Sequence, residues 1–131
     1  MVIFAVIGLA SPLSYVEANT SSSHPYILEW GESGLGTPGK FSFPQNVATD
    51  ELGNVYVTDL GNMRVQKFNN DGTFLNAWGS SGTGPGQFSS PSGIAVFNGS
   101  AYVVDTQQHR VQQFDLDGSF ISSWGEEGHN S

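Results

Sequence analysis

Two acid–base pairs stand at matching places in this 131-residue chain, Asp59 with Arg64 and Asp105 with Arg110. Across a turn of that length, a carboxylate and a guanidinium come close enough for a charge-assisted hydrogen bond. Such a pair either pins a hairpin or lines a face where the arginine reads a ligand. Other chemistry is sparse. Asp115-Leu116-Asp117-Gly118 begins like a calcium loop but lacks the later acids, including the distal glutamate, so it reads as a turn. His24, His109 and His129 are scattered, and no Ser/His/Asp arrangement or multi-histidine cluster is visible. The chain has no cysteine, which excludes disulfides and thiolate zinc sites within it. No catalytic, metal or cofactor-binding residue is expected.

The pairs belong to a longer repeat. Trp30-Gly31, Trp78-Gly79 and Trp124-Gly125 lie 48 and 46 residues apart. Aligned from Trp30 and from Trp78, two units share more than twenty identical positions, among them Gly39/Gly86, Phe41/Phe88, Pro44/Pro91, Tyr56/Tyr102 and Phe68/Phe114. A period of this size indicates stacked supersecondary units and not one undivided core.

Each unit reads as four short strands. In the first, residues 46–50, 55–59, 64–68 and 73–78 are rich in Val, Phe, Tyr and Thr and are separated by turn residues. Asn70-Asp71-Gly72 and Leu116-Asp117-Gly118 supply the positive φ of tight hairpins. Four antiparallel strands followed by a Gly/Pro-rich connection describe a blade of an all-β propeller, with blades at 46–79 and 93–125. Trp30 would close an outer strand over 26–30 belonging to a preceding blade. Trp78 and Phe74 lie four apart on one strand, as do Trp124 and Phe120, which places each pair on one face of a regular strand. With Trp30, these aromatics are expected to pack between blades, although an aromatic stripe also suits a sugar ring.

The run Asp59-Leu60-Gly61-Asn62-Met63-Arg64-Val65-Gln66-Lys67-Phe68 resembles the core of the NHL repeat, D-x-x-N-x-R-[VI]-Q-x-F. Asp105 to Phe114 resembles it too, with Gln108 in place of the asparagine. The resemblance spans about residues 26–128. It implies a partial propeller of the six-bladed kind, used as a non-catalytic binding scaffold for a protein or glycan. Related recognition domains occur in ubiquitin ligases, but no RING accompanies this one. The enzymatic alternative is a peptide-amidating lyase or a lactonase-like propeller, which holds a metal on the axis through acids or histidines of the innermost strands. Here those strands offer Asp50 alone. A purely structural adhesion repeat is a third reading.

Composition narrows the partners. The net charge is −8, and Lys40, Arg64, Lys67 and Arg110 form no basic tract, which argues against nucleic acid. The apolar run Val2 to Ala10, followed by Val16-Glu17-Ala18, fits a secretory signal over residues 1–18, without the usual basic start. A buried strand or a misassigned start is the other reading. The run is too short to span a membrane. Residues 19–25 read as a linker and 129–131 as a tail, and an extracellular or cell-surface location follows from the signal. Propellers usually close with about four to eight blades. Two blades therefore call for further blades or for a homo-oligomer.

Overall fold

The computed structural model describes Val2–Ile3, Glu17–Ala18 and residues 28–128. The first two segments are short strands, β1 and β2, paired antiparallel. The rest of the expected signal and the whole of the linker over residues 19–25, with residues 129–131, lie outside the described residues.

Two four-stranded antiparallel meanders follow. The first blade runs β5 (Pro44–Thr49), β6 (Val55–Asp59), β7 (Arg64–Phe68) and β8 (Phe74–Trp78). The second runs β9 (Pro91–Phe97), β10 (Ser100–Asp105), β11 (Arg110–Asp115) and β12 (Phe120–Trp124). Strand order follows chain order in both sheets, as a meander requires. The innermost strands begin two residues earlier than the repeat pattern suggests, because Pro44 and Pro91 sit opposite Asp59 and Asp105 at the ends of β6 and β10. Before the first blade, β3 (Glu32–Ser33) pairs in parallel with β4 (Lys40–Phe41) across the connection. Ser81 and Phe88 make the matching bridge in the second connection.

The core lies between the blades. Tyr56 and Val65 of the first meet Ile94, Val103 and Phe114 of the second, and Phe88 from the connection is buried among them. Trp78 reaches across, 5.8 Å from the Phe114 ring, and also stands edge-on to Tyr56. Gly118 is its seat: a Cβ there would lie 2.6 Å from the indole, and φ is +90°. The glycine that turns the hairpin therefore also admits the tryptophan of the blade before it. Trp30 uses Gly72 in the same way and lies 4.6 Å from Phe68. Polar ties cross the same gap. Lys67 Nζ donates to Leu116 O at 2.9 Å, Asn76 Nδ2 to Asp117 O at 2.7 Å, and Thr58 Oγ1 to Ser92 O at 2.7 Å.

Two expectations need correction. Residues 28–30 form no strand, and residues 26–27 of the expected outer strand lie outside the described residues. Phe74 and Phe120 do not share a face with Trp78 and Trp124. Val65 pairs with Trp78 but Phe68 pairs with Phe74, with Leu75 left as the extra residue of a β-bulge. Ile121 does the same in the second blade. The bulge reverses the alternation, so Phe74 stands edge-on to Phe68 and Phe120 to Phe114, within their own blades.

Trp124 repeats the contact of Trp78 with its own blade, 6.1 Å from Tyr102, but is 49% exposed because among the described residues no blade packs over it. Trp78→Ala is expected to lower stability by roughly 3–5 kcal/mol, and Trp124→Ala by under about 1 kcal/mol in dilute solution. Urea melts of the two variants check this; equal losses would contradict the packing described.

Candidate functional site

The Asp–Arg pairs are at the centre of two polar cages. Asp59 is fully buried at the end of β6. Its Oδ2 accepts from Arg64 Nε at 2.9 Å, Asn62 Nδ2 at 2.8 Å and Gln66 Nε2 at 3.1 Å. Its Oδ1 accepts from the Ser42 amide at 2.7 Å. The remaining donors of Arg64 go to carbonyl oxygens of the connection: Gly36 at 3.1 Å, Thr37 at 2.9 Å and Lys40 at 2.7 Å. Gln66 accepts from the Gly39 amide and donates to Lys40 O, while Asn62 accepts from the Gly36 amide and donates to Gly34 O.

Backbone geometry produces this arrangement. Arg64, Gln66 and Phe68 alternate along β7 onto one face, the side on which the connection lies. Met63, just before them, takes a left-handed φ of 49° that ends the short 3-10 turn at Leu60–Asn62. The connection is rich in Gly and Pro and forms little regular structure of its own, so its carbonyls need partners from elsewhere. The side chains supply them.

The second cage is looser. Asp105 turns toward the amides of Ser89 and Ser90, accepting from the latter at 2.8 Å, and lies 3.5 Å from Arg110 Nη2. Arg110 still donates to Thr83 O, Gly84 O and Gln87 O, but its buried Nε has no partner. Gln112 repeats Gln66, bonding to the Gly86 amide and Gln87 O. Gln108 stands where Asn62 stands in the first cage, yet makes no hydrogen bond to the connection or to Asp105. One extra methylene is enough to misplace the amide.

The structure thus brings each predicted Asp–Arg pair together and turns it toward the connection. Sequence reasoning missed Gln66 and Gln112, although both are identical between units and fall two residues after the arginine, on its face. His109 is exposed, with a left-handed φ of 51° in the position of Met63. Asp115 accepts from the Asp117 and Ser119 amides at 2.9 Å, the geometry of a turn. Hydrogen bonding to the backbone, led by Ser119, holds its carboxyl below the ordinary value.

Away from the cages, a 420 Å³ groove opens between the β5–β6 and β9–β10 hairpins, lined by Asp50, Leu52, Val96, Asn98, Leu116 and neighbours. Asp50 is committed to its own hairpin. Its oxygens accept from the Leu52 and Asn54 amides at 2.9 Å, from Asn54 Nδ2 at 3.0 Å and from Tyr56 Oη at 2.8 Å. Burial alone would raise its pKa, but the bonds from Asn54, Tyr56 and Leu52 outweigh it, and the carboxyl titrates below its usual value of 3.8. Burial, then the bond to Asp50, pushes the Tyr56 phenol well above its ordinary range. Among the described residues, no group of three or more His, Cys, Asp or Glu is placed to hold a metal ion.

Successive four-stranded meanders, seated on one another by Trp and Gly and fastened by D-x-x-[NQ]-x-R-V-Q cages, define a β-propeller of NHL repeats. The chain belongs to the 6-bladed beta-propeller family, whose profile matches residues 37–125. It is 44% identical over 59 residues to NHL repeat-containing protein 3 of Homo sapiens and of Mus musculus. Each match takes in 43% of this chain and 17% of the relative's length. A crystal structure from Bacteroides fragilis, of a protein carrying the provisional name of an exported protein, aligns over the whole chain and 35% of its own length. Its TM-score is 0.53 at 20% identity, a likeness of fold.

Three outcomes are expected. Asp59→Ala leaves the Arg64 charge buried without its carboxylate and costs about 3–5 kcal/mol, more than Asp105→Ala, with faster proteolysis between Gly34 and Lys40. Gln108→Asn restores the missing member of the second cage and gains about 1 kcal/mol in a urea melt. Asp50, with its lowered pKa, stabilises the fold above pH 3.8, and that contribution is lost as pH falls through the folded-state value. Asp50→Asn should therefore flatten the acid limb of the stability–pH curve.

Proposed function

We propose that this chain is a non-catalytic interaction scaffold, a segment of an NHL propeller that presents hairpin loops to a protein or glycan partner outside the cell. The observation that carries this reading is how its polar and apolar residues are used. The polar side chains repeated in both units, Asp59, Arg64, Gln66, Asp105, Arg110 and Gln112, spend their hydrogen bonds on the connections. The large apolar residues left to solvent include Leu52, 85% exposed, and Phe97, 72% exposed, at the hairpins that border the groove. Exposed apolar groups grouped on a rigid rim suit association, and a protein partner covers them better than a polar sugar does. An extracellular place is supported by the signal-like pattern of residues 1–18 and by the name of the Bacteroides fragilis neighbour.

The test compares wild type with a Leu52→Asp, Phe97→Asp double variant. Both are checked for fold by circular dichroism and passed over an immobilised partner recovered from extracellular medium. The reading expects at least about a tenfold loss of affinity, the effect of removing interface anchors. Equal binding by both would overturn the choice of rim. Turnover of lactones or of hydroxyglycine-extended peptides after addition of zinc or calcium would overturn the non-catalytic reading itself.

A further inference from the structure

The groove between the β5–β6 and β9–β10 hairpins lies in a charge field that the polar cages do not share. In an antiparallel meander the first and third turns share one end, and the second turn stands at the other. The cages sit at the second-turn end, where the connections pass, and they hold Arg64 and Arg110. Lys40 is on the first connection too, paired with Glu32 at 3.2 Å. Of the chain's four lysines and arginines, only Lys67 is left. Its side chain is 12% exposed, lies 5.4 Å over the Tyr56 ring and is tied to Leu116 O.

The hairpin end carries acids instead. Asp50, Glu51, Asp71, Asp115 and Asp117 all stand in or beside its turns. Asp50 and Glu51 line the groove with Leu52 and Leu116, and Asp117, next after Leu116, has a side chain 89% exposed. Glu51 is exposed and makes no ion pair among the described residues. Asp50 spends its oxygens on its own hairpin and keeps its charge. Asp50 and Asp117 both oppose ionisation of the Tyr56 phenol, so the two carboxylates belong to one neighbourhood.

We propose that this groove takes a basic segment of a partner protein. A bulky apolar side chain enters beside Leu52, and Lys or Arg on its flanks meets Asp50, Glu51 and Asp117. The inference rests on the scaffold reading above and names the chemistry of the partner. Two observations choose this occupant. The groove offers an apolar seat of 420 Å³, within the range of small binding clefts, and Leu52 at its edge is 85% exposed. Its rim is negative, and the nearest cation, Lys67, is already engaged with Leu116 and Asp117. A cationic segment therefore gains from the seat and from the field, which steers encounter and fixes orientation. An acidic segment is repelled, and a neutral glycan gains nothing from the charge.

The experiment is fluorescence anisotropy on the full chain with a short labelled peptide that carries a phenylalanine between two Lys–Arg pairs. Saturable binding that weakens as sodium chloride rises is expected. Replacing the peptide's phenylalanine by glycine should cost roughly tenfold in affinity. Glu51→Gln combined with Asp117→Asn should also cost roughly tenfold. Glu126→Gln combined with Glu127→Gln makes the same charge change on exposed residues elsewhere and should leave binding unchanged. Circular dichroism checks that both double variants fold. Absence of binding, equal losses from the two double variants, or equal binding of the glycine peptide overturns the proposal, the last two by reducing it to attraction between net charges. A partner recovered from extracellular medium separates this inference from the scaffold reading. Loss of its binding with Leu52→Asp and Phe97→Asp, but not with Glu51→Gln and Asp117→Asn, sinks the basic segment and leaves the scaffold standing.

Discussion

A twisted four-stranded meander has two broad apolar faces, and its own strands cover neither of them. Everything distinctive in this chain answers that constraint. The buried cluster contains residues from both blades and from the connection between them, so it forms only as the second unit is laid on the first. Burial at each repeat position follows from whether a neighbour is present. Val65 is buried and Val111 is not, although the two occupy the same place in the same motif. Stability in such an array is shared between units and interfaces, as in other repeat proteins.

The constraint extends to the connections. A segment that must climb from the outer edge of one blade to the inner edge of the next cannot form a regular ladder along the way. Its amides and carbonyls are answered by side chains projecting from β6 and β7, or from β10 and β11. This explains why the repeat keeps a carboxylate, a guanidinium and two carboxamides near one another. The guanidinium supplies a fan of donors and the carboxylate gathers them, while the carboxamides can both donate and accept. The loosening of the second cage where Gln108 replaces Asn62 shows how little slack the arrangement has.

Much of this was legible in the residues. The tryptophan spacing and the strand–turn rhythm are local, so the blades could be read directly, as could the approach of Asp59 to Arg64 across a short turn. What escaped depends on registers and distances that no local pattern encodes. The bulges at Leu75 and Ile121 reversed the faces assigned to Phe74 and Phe120, and nothing in Phe-Leu-Asn-Ala-Trp signals an extra residue. The role of Gly118 was half visible: its hairpin could be read, while its contact with Trp78 is a relation between residues forty apart. Carbonyl partners of Arg64 were beyond reach for the same reason. The exposed hairpin loops differ in sequence between the two units, so no repeated pattern marks a surface there.

The same bulges bear on how such a sheet ends. β8 and β12 are edge strands, and an unbroken edge invites another strand to add to it. With Leu75 and Ile121 left out of register, each edge is bent and its hydrogen-bonding row interrupted. Radial growth by strand addition is discouraged, while circumferential growth through the blade faces remains open. The fold is in this sense directional: it accepts more of itself around an axis and refuses it outward.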